Sequence, residues 1–258
     1  MPTLALPPSL ADLFSGSSPS TLLAVFAVVA LAYAIFALLG FGTALIAATP
    51  LAWAMPVAQV IPLLALLDGA SALRRGYANR QRVDLAAIGR LLPGMVLGQA
   101  LGVALLAVLP LRVSALLLGG FVAAYGAWSL RGAPRRSPSA RAAWLWGGVG
   151  GVLGGLFGSG GFVYASYLQA RLPDRDAFRA SQAVLISAST LWRIVLCALS
   201  GLIDLRLLGV TVLLGPAVVL GHRIGALIDH RLSADGFRRA LNLMLIASGL
   251  ALAGRSLL

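Results

Sequence analysis

Gly147-Gly148-Val149-Gly150-Gly151-Val152-Leu153-Gly154-Gly155-Leu156-Phe157-Gly158-Ser159-Gly160-Gly161 places nine glycines in fifteen residues, inside a charge-free run from Ala142 to Ala170. In a water-soluble helix each interior glycine costs about 1 kcal/mol relative to alanine. In a bilayer, small residues let helix backbones approach closely, and a helix broken at glycine opens backbone groups to a cavity. Gly147, Gly151 and Gly155 form one i, i+4 row; Gly150, Gly154 and Gly158 form another. Gly158-Ser159-Gly160-Gly161 then reads as a helix break, and a weaker copy, Gly40-Phe41-Gly42-Thr43, lies 118 residues earlier. Breaks in corresponding places of two halves are a transporter signature.

The rest of the chain agrees with a membrane reading. Of 258 residues, 59% are hydrophobic and 11% charged, with a mean hydropathy of +0.92, against about 25% charged in ordinary soluble domains. Leu13 to Leu67 runs 55 residues without a charge, more than two spans of about 20 residues each. The pattern predicts an all-α polytopic protein of eight hydrophobic segments, at about 21–49, 56–73, 85–109, 112–130, 143–170, 178–201, 207–228 and 237–255. A positive n-region is missing from the first twenty residues, so a cleaved signal peptide is not expected.

The net charge of +12 comes from twenty arginines, most of them in short connections between apolar runs. That is the positive-inside pattern rather than a nucleic-acid surface. Crossing eight times would put the loops around Arg74, Arg75, Arg80 and Arg82 and around Arg131, Arg135, Arg136 and Arg141 on one side. By the positive-inside rule that side, with both termini, is the cytoplasm of an inner-membrane protein. Cys197 lies in an apolar segment and reads as a small filler.

The second half repeats the first. Leu38–Gly42 falls on Leu156–Gly160 at an offset of 118, Ser71–Arg74 on Thr190–Arg193 at 119, and Val83-Asp84-Leu85 on Ile203-Asp204-Leu205 at 120. Pro93, Gly98-Gln99 and Gly102 fall on Pro216, Gly221-His222 and Gly225 at 123. We read residues 1–258 as a single integral domain, with repeat 1 at about 21–130, a Pro/Ser/Arg linker at 131–141 and repeat 2 at about 142–256. If every segment crosses, the halves share one orientation. If the first segment of each half dips in and returns, they are inverted, and 21–49 is long enough for both.

The order of these motifs resembles the TauE/SafE sulfite-exporter family, also called the toluene sulfonate uptake permease family. The resemblance rests on the glycine turn Gly40-Phe41-Gly42-Thr43 with Pro50, the basic Arg75-Gly76, the duplicated hydrophobic-Asp-hydrophobic motif and the paired glycines, over roughly 22–255. It implies transport of sulfite, organosulfonates or related small anions. Thr43 and Ala44 stand where the family continues with glycines, and the second turn lacks the following proline.

Candidate substrate-binding residues are those that can hold an anion at membrane depth. Broken helices offer free N–H groups and a positive helix end, here at Gly40, Gly42 and Thr43 and at Gly158, Ser159, Gly160 and Gly161. Arg193 is a cation inside an apolar segment, with Ser187, Ser189 and Thr190 near one face with it, and Gln99 and His222 are polar residues matched between the repeats. Each has a plainer reading, as helix packing, interfacial snorkelling or an interhelical hydrogen bond. Asp68 and Arg74 are candidates for gating or coupling. The chain carries no HExxH, CxxC or Walker sequence, so no enzyme activity, metal or other cofactor is expected. Partners are a small anionic substrate, the lipid bilayer, a coupling proton or other ion, and a second copy of the chain if it oligomerises. The alternative is a membrane scaffold or assembly protein whose glycines serve packing only.

Overall fold

The computed structural model describes residues 19–39, 43–78, 83–130, 142–172, 174–228 and 234–257. Among them are ten helices and no strand. The segment expected at 21–49 is two helices, α1 (Pro19–Leu39) and α2 (Thr43–Leu51), and that at 143–170 is α6 (Ala143–Phe157) and α7 (Gly161–Arg171). The others are single: α3 (Val57–Ala78), α4 (Leu85–Val108), α5 (Leu111–Leu130), α8 (Arg175–Leu199), α9 (Leu205–Ile228) and α10 (Ala234–Leu257). Four of them, α4, α5, α8 and α9, are both long and apolar enough to cross a bilayer.

Helix starts follow local chemistry. Asp84 caps α4 by accepting from the Ala87 N–H at 2.8 Å, and Asp204 caps α9 by accepting from the Leu207 N–H at 2.7 Å. The duplicated hydrophobic-Asp-hydrophobic motif is thus a pair of N-caps, each contributing about 1 kcal/mol. Asp174 does the same for α8 through the Ala177 N–H.

Glycine sets how the helices pack. Gly94, Gly98 and Gly102 of α4 meet Trp144, Gly148 and Val152 of α6 in sequence order, so these two helices run parallel with backbones in contact. A Cβ at Gly151 would come within 2.5 Å of the Met95 carbonyl oxygen. On the other flank, Gly221 and Gly225 of α9 meet Ala30 and Ala34 of α1, again parallel. Gly119 of α5 meets Gly249 and Ala253 of α10 while Gly126 meets Asn242 and Ile246, so this pair is antiparallel.

The two broken segments turn back on themselves. Gly160 and Tyr164 of α7 both lie on Gly150 of α6. Further on, Tyr167 and Leu168 join Ala87, Ile88 and Ala143, beside the first turns of α4 and α6. In the first half, Tyr33 of α1 and Thr43 of α2 both reach Asp68 of α3. The two helices of each broken segment pack on each other, α1 on α2 and α6 on α7.

Candidate functional site

Two charges meet in the middle of the bundle. Asp68 on α3 is 7% exposed and Arg193 on α8 is 4% exposed. Arg193 Nη2 stands 3.8 Å from Asp68 Oδ2, longer than a charge-assisted hydrogen bond of about 2.7–2.9 Å. The short contacts to the carboxylate come from hydroxyls. Tyr33 donates to Oδ1 at 2.7 Å and Thr43 to Oδ2 at 3.0 Å. Arg193 Nη1 donates to the Gly154 carbonyl at 3.2 Å, and its Nε is buried without a hydrogen-bond partner. A guanidinium has five N–H donors in a fixed fork, so most of this one's capacity is unspent.

That capacity faces a cavity of about 40 Å³, room for roughly three waters. Its wall includes Thr43 of α2, Asp68, Gly158 to Phe162, and Ser189, Thr190 and Arg193 of α8. Gly158 makes the turn possible. Its φ of +68° and ψ of 14° lie in the left-handed region that glycine enters without steric cost. Its N–H returns to the Gly154 carbonyl at 3.0 Å, an αL closure of α6, and the Ser159 N–H reaches the Leu153 carbonyl at 3.2 Å. A Cβ at Gly158 would lie 2.7 Å from the Ala44 Cβ and 2.9 Å from Arg193 Nη1, so the turn sits directly against the start of α2. The first residues of α2 and of α7 both line the cavity, and the opening turn of a helix carries orphan N–H groups and partial positive charge. Arg193 and two helix N-termini converge there against one carboxylate.

The expected residues divide on this geometry. Thr43, Gly158, Ser159, Gly160, Gly161, Asp68 and Arg193 share the cavity, with Ser189 and Thr190. Ser159 turns its hydroxyl onto the Phe157 carbonyl at 3.0 Å, closing the turn rather than presenting a donor. Ser187 bonds the Ala183 carbonyl one turn back at 2.6 Å and does not line the cavity. Gln99, fully buried, donates to the Ser189 carbonyl at 2.9 Å and accepts from the Ser189 hydroxyl at 3.2 Å, which ties α4 to α8 behind the cavity. His222 lies 3.4 Å from the Ser71 hydroxyl with its ring against Tyr33 and Phe36. It reaches the site through Tyr33, which bonds Asp68, and Phe36, which lines the cavity. Gly40 and Gly42 lie outside the described residues, as does the Arg74 side chain.

Tyr33 and Tyr164 are the residues sequence reasoning missed. Both are fully buried, and a buried phenol needs a polar partner. A lone tyrosine in the charge-free stretch before Asp68 was the available signal for Tyr33.

The chain matches the family model described as "Sulfite exporter TauE/SafE" over residues 25–252. It is 32% identical over 200 residues to the "Probable inner membrane transporter protein TsaS" of Comamonas testosteroni, a match covering 74% of this chain and 81% of that relative. No solved structure matches the chain at a significant level. These matches are to transporters rather than enzymes, and the chain belongs to the TauE/SafE family of multi-pass inner-membrane transporters.

Proposed function

We propose that this protein is a secondary transporter of small anions of the sulfite and organosulfonate class, working by alternating access at the cavity between its two hairpin turns. The observation that carries this is Arg193: a buried guanidinium, its Nε unpartnered, facing a cavity that two helix N-termini also line. A cation at that depth costs about 2.5 kcal/mol or more and persists where it serves a polar interior. The cavity's small volume favours a compact oxyanion as the group held. Export is the direction we assign, on the family's description.

The fold supports this as an inverted repeat. Helix α4 packs on α6 as its counterpart α9 packs on α1, and α3 meets its counterpart α8 as α5 meets its counterpart α10. With a returning hairpin and three end-to-end helices, each half has an odd number of crossings, so the halves are inverted. Such symmetry lets one site open to either face by exchanging the roles of the two halves.

This count also changes the orientation. Every arginine except Arg112, Arg193, Arg206 and Arg255 falls in the connections that join the end of α3 to α4, α5 to α6, α7 to α8 and α9 to α10, or within two turns of them. All four connections serve one end of the bundle. An eight-crossing count splits these arginines between the faces; six crossings and two hairpins collect them. We therefore assign that end to the cytoplasm, and the start of α1 and the end of α10 to the opposite face, the reverse of the assignment from segment counting.

Proteoliposomes loaded with labelled sulfite, methanesulfonate or sulfoacetate test the function. Saturable exit of at least one, competed by the others, is the expected result. Folded, monodisperse protein that moves none of them overturns it.

A further inference from the structure

Asp68 is the carboxylate of the cavity, and Arg193 is the cation that balances it among the described residues. An anion entering beside Arg193 would place two negative charges and one positive charge among largely buried side chains. Buried charge without a partner is strongly unfavourable, and the usual relief for a carboxyl group is to become neutral. The local hydrogen bonds suit both forms. Tyr33 and Thr43 donate to the carboxylate, and a hydroxyl can instead accept from a protonated carboxyl by rotating its O–H.

On the reading that this cavity binds the transported anion, we propose that Asp68 is its coupling group: the anion takes Arg193, a proton takes Asp68, and the two cross together. The contact between guanidinium and carboxylate is replaced by one between guanidinium and oxyanion. The proton passes to an Asp68 oxygen from water admitted with the anion, leaving hydroxide outside, and returns to water on the far side when the anion leaves. For a monoanion the site is neutral before and after. Transport is then electroneutral, and its direction follows the product of proton and anion activities on the two faces. Export proceeds when the cytoplasmic anion is concentrated enough for the inside product to exceed the outside one.

The titratable groups around Asp68 are Tyr33 on α1, Tyr164 on α7, Arg193 and Cys197 on α8, and His222 on α9. Helix α2 contributes Thr43. Helix α5 carries Arg112 at its start and Tyr125, which packs on Phe162. His222 is the competing carrier, one ring removed through Tyr33.

The test uses proteoliposomes with a trapped pH dye and labelled methanesulfonate, a strong-acid monoanion across the working range. Wild-type protein should carry about one proton with each anion, at a rate indifferent to a clamped membrane potential. Asp68→Asn should carry no protons with whatever anion flux it retains, and that flux should become voltage-dependent. Asp68→Glu should restore proton movement, and His222→Gln should keep the wild-type ratio. Voltage-driven, proton-free flux by wild type overturns the proposal, as does a wild-type ratio in Asp68→Asn or a lost ratio in His222→Gln. If both Asp68 variants misfold, the wild-type and His222→Gln ratios decide. If no anion moves at all, the transport reading itself has failed, which is a different result from movement without protons.

Discussion

In the proposed site, Arg193 is the residue on which anion binding turns. Charge-assisted contacts contribute about 1.5–3 kcal/mol each, so Arg193→Ala should weaken anion binding roughly tenfold to a hundredfold. Arg193→Lys keeps the charge without the fork and should fall between wild type and alanine; titration of purified protein with sulfite or methanesulfonate reads both. Gly158→Ala tests the turn. A left-handed alanine costs roughly 1–2 kcal/mol, and here the added carbon also meets Ala44 and Arg193, so thermal unfolding should begin well below wild type. If Gly158→Ala melts with wild type, the turn is not the constraint described. Arg193 was legible as a charge inside an apolar run, and Asp68 as the end of a charge-free one. Their pairing was not, because it joins residues 125 positions apart on helices of different halves. Ser159 was legible as a polar residue at a break, but its hydroxyl is spent on Phe157, a choice that backbone geometry makes and sequence does not display.

Among the elements, the α4–α6 pair makes the strongest prediction. Gly98 and Gly151 each bring backbone against backbone, so Gly98→Val should force the helices apart and lower thermal stability or abolish folding. Gly89, on the same helix, has open space around it. Gly89→Ala should be neutral or slightly stabilising, since alanine is the better helix former by about 1 kcal/mol. Equal behaviour of the two variants in a thermal-shift measurement would contradict close packing as the role of these glycines. Segment boundaries were readable because apolar runs end at charges and caps: 85–109 became Leu85–Val108 and 207–228 became Leu205–Ile228. The rows at Gly147, Gly151 and Gly155 were readable as a packing face. What apolarity cannot express is direction. A 29-residue apolar segment has the same composition whether it crosses or folds back, and it is the contact of Tyr164 with Gly150 and the packing of α1 on α2 that support the folded-back reading.

For the whole molecule, the consequence is orientation. On the proposed topology both hairpins return, and the arginine-rich connections gather at one face. A cysteine placed at Ser200, exposed between α8 and α9, should react with a membrane-impermeant maleimide added to intact cells, while one at Ser137 in the arginine-rich linker should react only after permeabilisation. Buried Cys197 should give little background. Labelling of neither position in intact cells would restore cytoplasmic termini and an eight-crossing count, and labelling at Ser137 alone would reverse the orientation. Drifting matches between the halves suggested a repeat from sequence, and they could not suggest its proposed inversion, which depends on whether two segments cross. The account rests on an anion held at Arg193 between the hairpin turns. Its most direct test is exchange of labelled sulfite across proteoliposomes by wild-type and Arg193→Ala protein at matched, folded amounts. We predict saturable exchange by wild type and a loss of tenfold or more in apparent affinity in the variant; equal affinities would contradict the site.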